Sequence, residues 1–351
     1  MIYLSSHGGW TERQPPVKIL LVKFNHLGDT LLLTPTIHFL KERFPAAEID
    51  ALVRAGCEEI LRGNPDVHQI FSIGRSQGID NIRRAHGVLL RRYDYAFDLS
   101  DSGKAKFWIL LSAARIRGIN DAYYSAGWKR RLFNRISNFE WGMQHQVLRD
   151  FRTVADIMEL KGEPGPLQFY PPAESEYLRK VLPASENFAV IHPTSRWAFK
   201  QWLPDRWADV ADEIRRRYNL SVIFSTGPAP REIECVRTIL GAAREKHFST
   251  EGKISLHELG LLLRRAKLFC GVDTVAMHLA AAMQTPTVAL FGPSSEWSWR
   301  PWQCRHELVL GDCSCKATRQ FICDKSKPYP CMERIKVDAV LAAVGKLLPS
   351  K

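Results

Sequence analysis

The sequence predicts an α/β protein of two doubly wound parallel-sheet domains facing a central cleft. Three observations lead there. The chain has 351 residues, more than one hydrophobic core usually organises. Strand-like and helix-like segments alternate along it. Near the middle a stretch rich in proline and glycine interrupts the alternation, which then restarts. Strands separated by helices build parallel sheets covered on both faces. Ligands of such sheets sit beyond the carboxyl ends of the strands, so tandem domains direct a site into the cleft between them.

Residues 1–16 read as a flexible lead-in ending at Pro15-Pro16. They lack the basic and long apolar segments of a secretory signal, so a cytoplasmic location is expected. The first domain is expected over 17–165. Val17–Phe24 is a buried strand by its aliphatic and β-branched content, and Leu31–Arg43 has helical periodicity and stops at Phe44-Pro45. Glu48–Val53 and Tyr95–Leu99 read as further strands. Lys161–Pro172 (KGEPGPLQFYPP) is the linker. The second domain is expected over 173–351. Its strands are Phe188–His192, Ser221–Ser225, Leu268–Cys270 and Thr287–Phe291; its helices are Trp207–Tyr218, His257–Arg265, Ala276–Met283 and a closing helix over 337–348.

With 45% hydrophobic and 25% charged residues the chain reads as globular, neither disordered nor membrane-spanning. Its apolar stretches, such as Phe107–Ala114, fall short of the roughly 20 residues a spanning helix needs. The net charge of +12 is concentrated in the first half. One basic run holds Arg75, Arg83, Arg84, Arg91 and Arg92; another extends from Lys104 to Arg135 and includes Lys129, Arg130 and Arg131. Either run alone reads as a solvated face, whereas the two together point to a polyanionic partner. Among the eight cysteines, Cys313, Cys315, Cys323 and Cys331, with Cys304 just before, lack the paired C-x2-C spacing of a strong zinc site, so unligated thiols are expected.

Four turns carry the chemistry. Asn25–Thr30 follows the first strand and holds one glycine where a dinucleotide fingerprint needs three, which argues against a nicotinamide enzyme. Asp29 there is either a helix cap or a carboxylate able to take a proton from an attacking hydroxyl. A helix N-terminus favours the anion, so such a base accepts its proton as the new bond forms, not beforehand. His192-Pro193-Thr194-Ser195 ends a strand and leads to Lys200; two hydroxyls and an ammonium there suit phosphate oxygens, with an ordinary surface lysine as the plain alternative. Gly271 to His278 turns from a strand into a helix through Asp273 and Thr274, an anion-binding corner for a diphosphate. His278, one turn into that helix, is a packed histidine or a donor contact. Gly292, after the strand Thr287–Phe291, would let backbone approach a ligand. The chain contains no Asp-x-Asp, so diphosphate charge is expected to be neutralised by Lys200 and helix amides, with neither metal nor cofactor.

Taken together, Ile19–Pro35, His192–Trp202, Gly271–Ala282 and Leu290–Pro293 resemble the bacterial lipopolysaccharide heptosyltransferases of glycosyltransferase family nine, in order and spacing, from about residue 17 to the C-terminus. Trp299–Trp302 and the closing KLLPS resemble the branch that adds the third heptose. The resemblance implies a GT-B fold of two Rossmann-like domains, an ADP-heptose donor, a lipopolysaccharide inner-core acceptor, inversion at the anomeric carbon and no metal. It makes Asp29 the general base and assigns the donor phosphates to Lys200, Thr194 and Ser195, beside the Asp273-Thr274 corner. Glu232, after Thr226-Gly227-Pro228, is the nearest match to a donor-side carboxylate. The basic residues Arg83, Arg84, Arg91, Arg92, Lys129, Arg130 and Arg131 would face the acceptor and the anionic inner leaflet, with no nucleic acid bound. The alternatives are transfer of the first or second heptose or of another nucleotide sugar, a sugar-nucleotide epimerase, and a nucleic-acid-binding protein, which explains the charge but not the phosphate corner.

Overall fold

A computed structural model of the chain describes residues 3–4, 10–11, 16–74, 79–100, 102–123, 131–181, 187–312 and 330–348. In the lead-in, β1 (Tyr3–Leu4) and β2 (Trp10–Thr11) form a short antiparallel pair. The first half then supplies β3 (Lys18–Lys23), β4 (Glu48–Arg54), β5 (Gln69–Ile73), β6 (Tyr95–Asp98), β7 (Ile116–Asn120) and β8 (Arg135–Ser137). They form one parallel sheet in the order β5-β4-β3-β6-β7-β8. The second half repeats the plan with β9 (Phe188–His192), β10 (Ser221–Phe224), β11 (Phe248–Ser249), β12 (Leu268–Val272), β13 (Thr287–Phe291) and β14 (His306–Leu310), in the order β11-β10-β9-β12-β13-β14. Each sheet reverses its direction of growth beside its first strand, between β3 and β6 and between β9 and β12. That switch point is where open α/β sheets bind ligands.

The central strands are buried on both faces, as parallel sheets require, and their aliphatic runs supply the cores. One apolar cluster draws on both halves, because helix Leu27–Leu32 packs against helix Val275–Ala282. The first helix begins earlier than periodicity indicated and is broken: Leu27–Leu32 gives way at Leu33 to Thr34–Arg43. Pro35 is the cause. It has no N–H for the Leu31 carbonyl, which instead accepts from the Thr34 hydroxyl at 2.7 Å.

Lys161–Pro172 has no regular structure, as expected, but it is no loose tether. Leu167 and Phe169 are buried, and the Gln168 N–H donates to Thr34 Oγ1 at 2.9 Å. From the second half, Trp302 Nε1 and the Gln303 amide donate to the Gly165 and Pro164 carbonyls at 3.0 and 2.9 Å. Helix Val337–Leu347 packs on β14 and on helix Pro204–Tyr218. Among the described residues no helix is long and apolar enough to cross a membrane.

Candidate active site

A cleft of about 920 Å³ opens at the carboxyl ends of both sheets. Its walls come from the turns after β3, β4, β9, β10 and β12, so residues remote in sequence converge there. Of the residues singled out in the sequence, Asp29, Thr194, Ser195, Lys200, Glu232, Asp273, Thr274 and His278 all line it.

Asp29 is the third residue of helix Leu27–Leu32 and is 9% exposed. Its Oδ2 accepts the His26 backbone N–H at 3.0 Å. The cap reading and the base reading are therefore compatible: one carboxylate oxygen closes the helix start, and Oδ1 has no hydrogen-bond donor among the described residues. Gly28 sits beside it because His278 lies across the cleft. A β-carbon at Gly28 would stand 3.2 Å from His278 Cδ2. His278 is buried, its imidazole pKa is lowered by burial, and its Nδ1 lacks a hydrogen-bond partner.

The opposite wall is rich in donors. Lys200 closes a short 3-10 turn, Ala198–Lys200, and its Nζ stands 2.5 Å from Asp273 Oδ2. Asp273, just before the helix start at Thr274, thus holds the Lys200 ammonium. Thr274 is the N-cap of helix Val275–Ala282, yet its hydroxyl makes no capping bond and has no partner. Thr194 Oγ1 and Thr226 Oγ1 lie 3.3 Å apart, and Ser195 Oγ accepts the Trp197 N–H at 3.2 Å. Glu232 folds over the Thr226–Pro228 turn, where a β-carbon on Gly227 would meet its Oε2. Burial raises the Glu232 pKa, opposed by Arg231 and by a hydrogen bond with Thr194. His192 shares a 3.0 Å hydrogen bond with Ser225, and burial takes its imidazole down to about 4.

Beneath the first wall lies an ion pair that the sequence did not announce. Lys23, fully buried in β3, donates to Asp150 Oδ1 and Oδ2 at 2.8 and 2.7 Å and to the Leu99 carbonyl at 2.8 Å. Gln146, which lines the cleft, donates to Asp150 Oδ1 at 2.9 Å. Burial pushes the Asp150 carboxyl up and Lys23 opposes it. Next to it, His145 caps helix Gln146–Ile157: its Nδ1 accepts the Val147 N–H at 3.2 Å, so its Nε2–H donates to the Arg300 carbonyl at 2.9 Å. This neutral tautomer is committed on both sides, and burial takes its pKa down to about 3.

Several expected positions lie elsewhere. Gly292 does not line the cleft; the space where its β-carbon would be is filled by Met332, so the glycine serves packing and not ligand approach. Gly271 lies within β12, and its missing side chain leaves room for Phe269 and the His192 carbonyl. Arg91 is not free for a partner: it pairs with Glu48 and, at 2.9 Å, with buried Asp50. Glu48 begins β4, so Arg91, and Arg92 just before β6, sit at the end of the sheet away from the cleft. Arg83 and Arg84 are exposed on helix Ile79–Leu90, with Arg83 3.9 Å from Asp80, and Arg131 is exposed. Lys129 and Arg130 lie outside the described residues, as do Arg75, Cys313, Cys315 and Cys323. Cys304 is a free thiol, and Cys331 is buried.

Sequence reasoning missed His26, Arg54, Gln146 and Arg196, which also line the cleft. Arg54 ends β4, so the strand-end rule that found Asp29 could have found it too.

Two Rossmann-like sheets with facing switch points, a carboxylate from one half and an ammonium and hydroxyls from the other define a GT-B glycosyltransferase. The chain belongs to glycosyltransferase family 9 (heptosyltransferase), whose family model matches residues 82–328. It is 32% identical over 336 residues to lipopolysaccharide heptosyltransferase 3 of Escherichia coli, covering 92% of this chain and 97% of that one. Among solved structures it is similar to a family 9 glycosyltransferase from Veillonella parvula, with TM-score 0.84, 19% identity, and 96% and 98% of the two chains covered. The E. coli ADP-heptose lipopolysaccharide heptosyltransferase II matches with TM-score 0.74, 21% identity, and 94% and 98% covered. Family membership sets aside the epimerase alternative.

Proposed function

We propose that the chain transfers heptose from ADP-heptose to the lipopolysaccharide inner core, as the third heptose, with inversion and without a metal. One observation carries the reading: Asp29 from the first half and the Lys200–Asp273 pair with Thr194 and Ser195 from the second line the same cleft. In this reading residues 17–165 receive the acceptor and 173–351 the donor. Thr194, Ser195, Lys200 and the Thr274 helix start hold the diphosphate, while Glu232, Asp273 and His278 contact the rest of the donor. The acceptor hydroxyl attacks the anomeric carbon from the Asp29 side, and Asp29 Oδ1 takes its proton as the bond forms. The bond to ADP breaks on the opposite side, and Lys200 and the helix amides stabilise the charge that develops on the leaving diphosphate. Inversion follows from this single displacement. Similarity to heptosyltransferase 3 supports the third position. The enzyme acts as a peripheral protein on the cytoplasmic face of the inner membrane, with Arg83, Arg84 and Arg131 towards anionic lipid.

The test is incubation with ADP-heptose and lipopolysaccharide cores of defined length, read by mass spectrometry, with and without EDTA. A single heptose added to the core bearing two heptoses, undiminished by EDTA, is expected. Addition only to shorter cores would reassign the acceptor, and loss with EDTA restored by magnesium would overturn the metal-free mechanism.

A further inference from the structure

At the cleft mouth, two arginines from opposite halves converge on one imidazole. Arg54 Nη1, at the end of β4, lies 3.2 Å from His26 Nδ1, and Arg196 Nη2, in the turn after β9, lies 3.0 Å from His26 Nε2. A guanidinium only donates, and a neutral imidazole offers one acceptor nitrogen, its other nitrogen carrying a proton. At most one of the two contacts is therefore a hydrogen bond; in the other, N–H faces N–H. Neither arginine has a carboxylate in ion-pair range among the described residues. Yet Arg196 is held in place, and Arg54 rests against His26. The Arg196 guanidinium lies over the Trp197 ring at 5.0 Å, and Arg231 donates to the Arg196 carbonyl. Two like charges with unused parallel donors, set across a cleft, form an arrangement that a bidentate anion completes.

We propose that Arg54 and Arg196 form a receptor for an anionic group, phosphate or carboxylate, carried by the acceptor. This rests on the transferase reading above. The donor diphosphate has its own partners in Lys200, Thr194 and Ser195, which leaves the arginine pair for the second substrate. His26 lies between the arginines, and its backbone N–H binds Asp29 Oδ2 at 3.0 Å. An anion held there sits within a helical turn of the proposed base, so it both selects the acceptor and brings its hydroxyl to Asp29.

Steady-state kinetics of Arg54→Gln, Arg196→Gln and the double variant test this. The acceptors are a native core, a phosphate-stripped core and a carboxyl-reduced core. On the native core each substitution should raise the acceptor KM roughly tenfold or more, leaving the ADP-heptose KM within about twofold. Removing the recognised anion should bring the wild-type KM up to that of the double variant, which tells phosphate from carboxylate. A rise in the donor KM in place of the acceptor KM, or a variant effect that persists on both stripped cores, would overturn the receptor. Calorimetric binding of native core to the ADP-bound protein repeats the comparison without turnover. If the wild type transfers nothing yet binds core more tightly than the double variant, the transferase reading fails and the receptor stands. Equal affinities sink the receptor whatever the turnover.

Discussion

Lys200 Nζ and Asp273 Oδ2 stand 2.5 Å apart, joining the turn after β9 to the turn after β12 at the switch point of the second sheet. The ammonium is thus tethered beside the helix start at Thr274, and in the proposed reading it is the cation that an arriving diphosphate would meet.

Lys200→Ala should therefore weaken ADP binding and turnover together. A charge-assisted contact to phosphate contributes on the order of 1.5–3 kcal/mol, or roughly a tenfold to hundredfold loss of affinity. Titration calorimetry with ADP reads it directly. Unchanged affinity would make Lys200 a structural partner of Asp273 and nothing more.

The basic residues of the first half should divide into two groups. Among the described residues, Arg91→Gln leaves the buried Asp50 carboxylate with only the Tyr93 hydroxyl at 2.7 Å and His68 at 3.1 Å, and should cost up to about 3 kcal/mol of stability. Arg83→Gln with Arg84→Gln should leave stability within about 0.5 kcal/mol but weaken salt-sensitive binding to anionic vesicles. Chemical denaturation and vesicle co-sedimentation separate the two. A destabilised Arg83/Arg84 variant, or an unaffected Arg91 variant, would contradict the division.

Stability should fall on the acid side. The His192 and His145 pKa values are lowered by burial to about 4 and about 3. Below pH 6.5 the unfolded chain protonates these imidazoles and the folded chain does not. Their contribution is thus complete above that pH and declines as pH drops towards the folded values, by at most about 1.4 kcal/mol per pH unit each. The Tm of wild type should drop more between pH 7 and 5 than that of His192→Asn, which has no proton to gain there. Equal slopes would show that His192 does not carry this dependence.

Much of the fold was legible because burial on both faces writes parallel strands as unbroken aliphatic runs, as in β3 and β13. Asp29, Lys200, Asp273 and Thr274 were legible for a related reason: each follows a strand, and strand ends point into the cleft. What could not be read depends on packing between distant segments. Nothing near Lys23 marks it as buried until Asp150 is brought beside it. Arg91 read as a residue facing the acceptor because its partners Glu48 and Asp50 lie on β4, remote in sequence. Gly292 followed a strand as the site residues do, yet Met332 comes from a remote helix to fill the space. The break at Leu33 was written locally, in Pro35, but the helical periodicity on either side masked it.

Whether Asp29 accepts the acceptor proton is read by single-turnover heptose transfer by Asp29→Asn, alongside calorimetric affinity for ADP-heptose. Asparagine preserves the side-chain oxygen that accepts the His26 N–H, so the helix start should survive. Transfer should fall by roughly 10²–10⁴-fold while donor affinity stays within about twofold. A variant that keeps more than about a tenth of wild-type transfer would rule Asp29 out as the base and leave it a helix cap at the edge of the cleft.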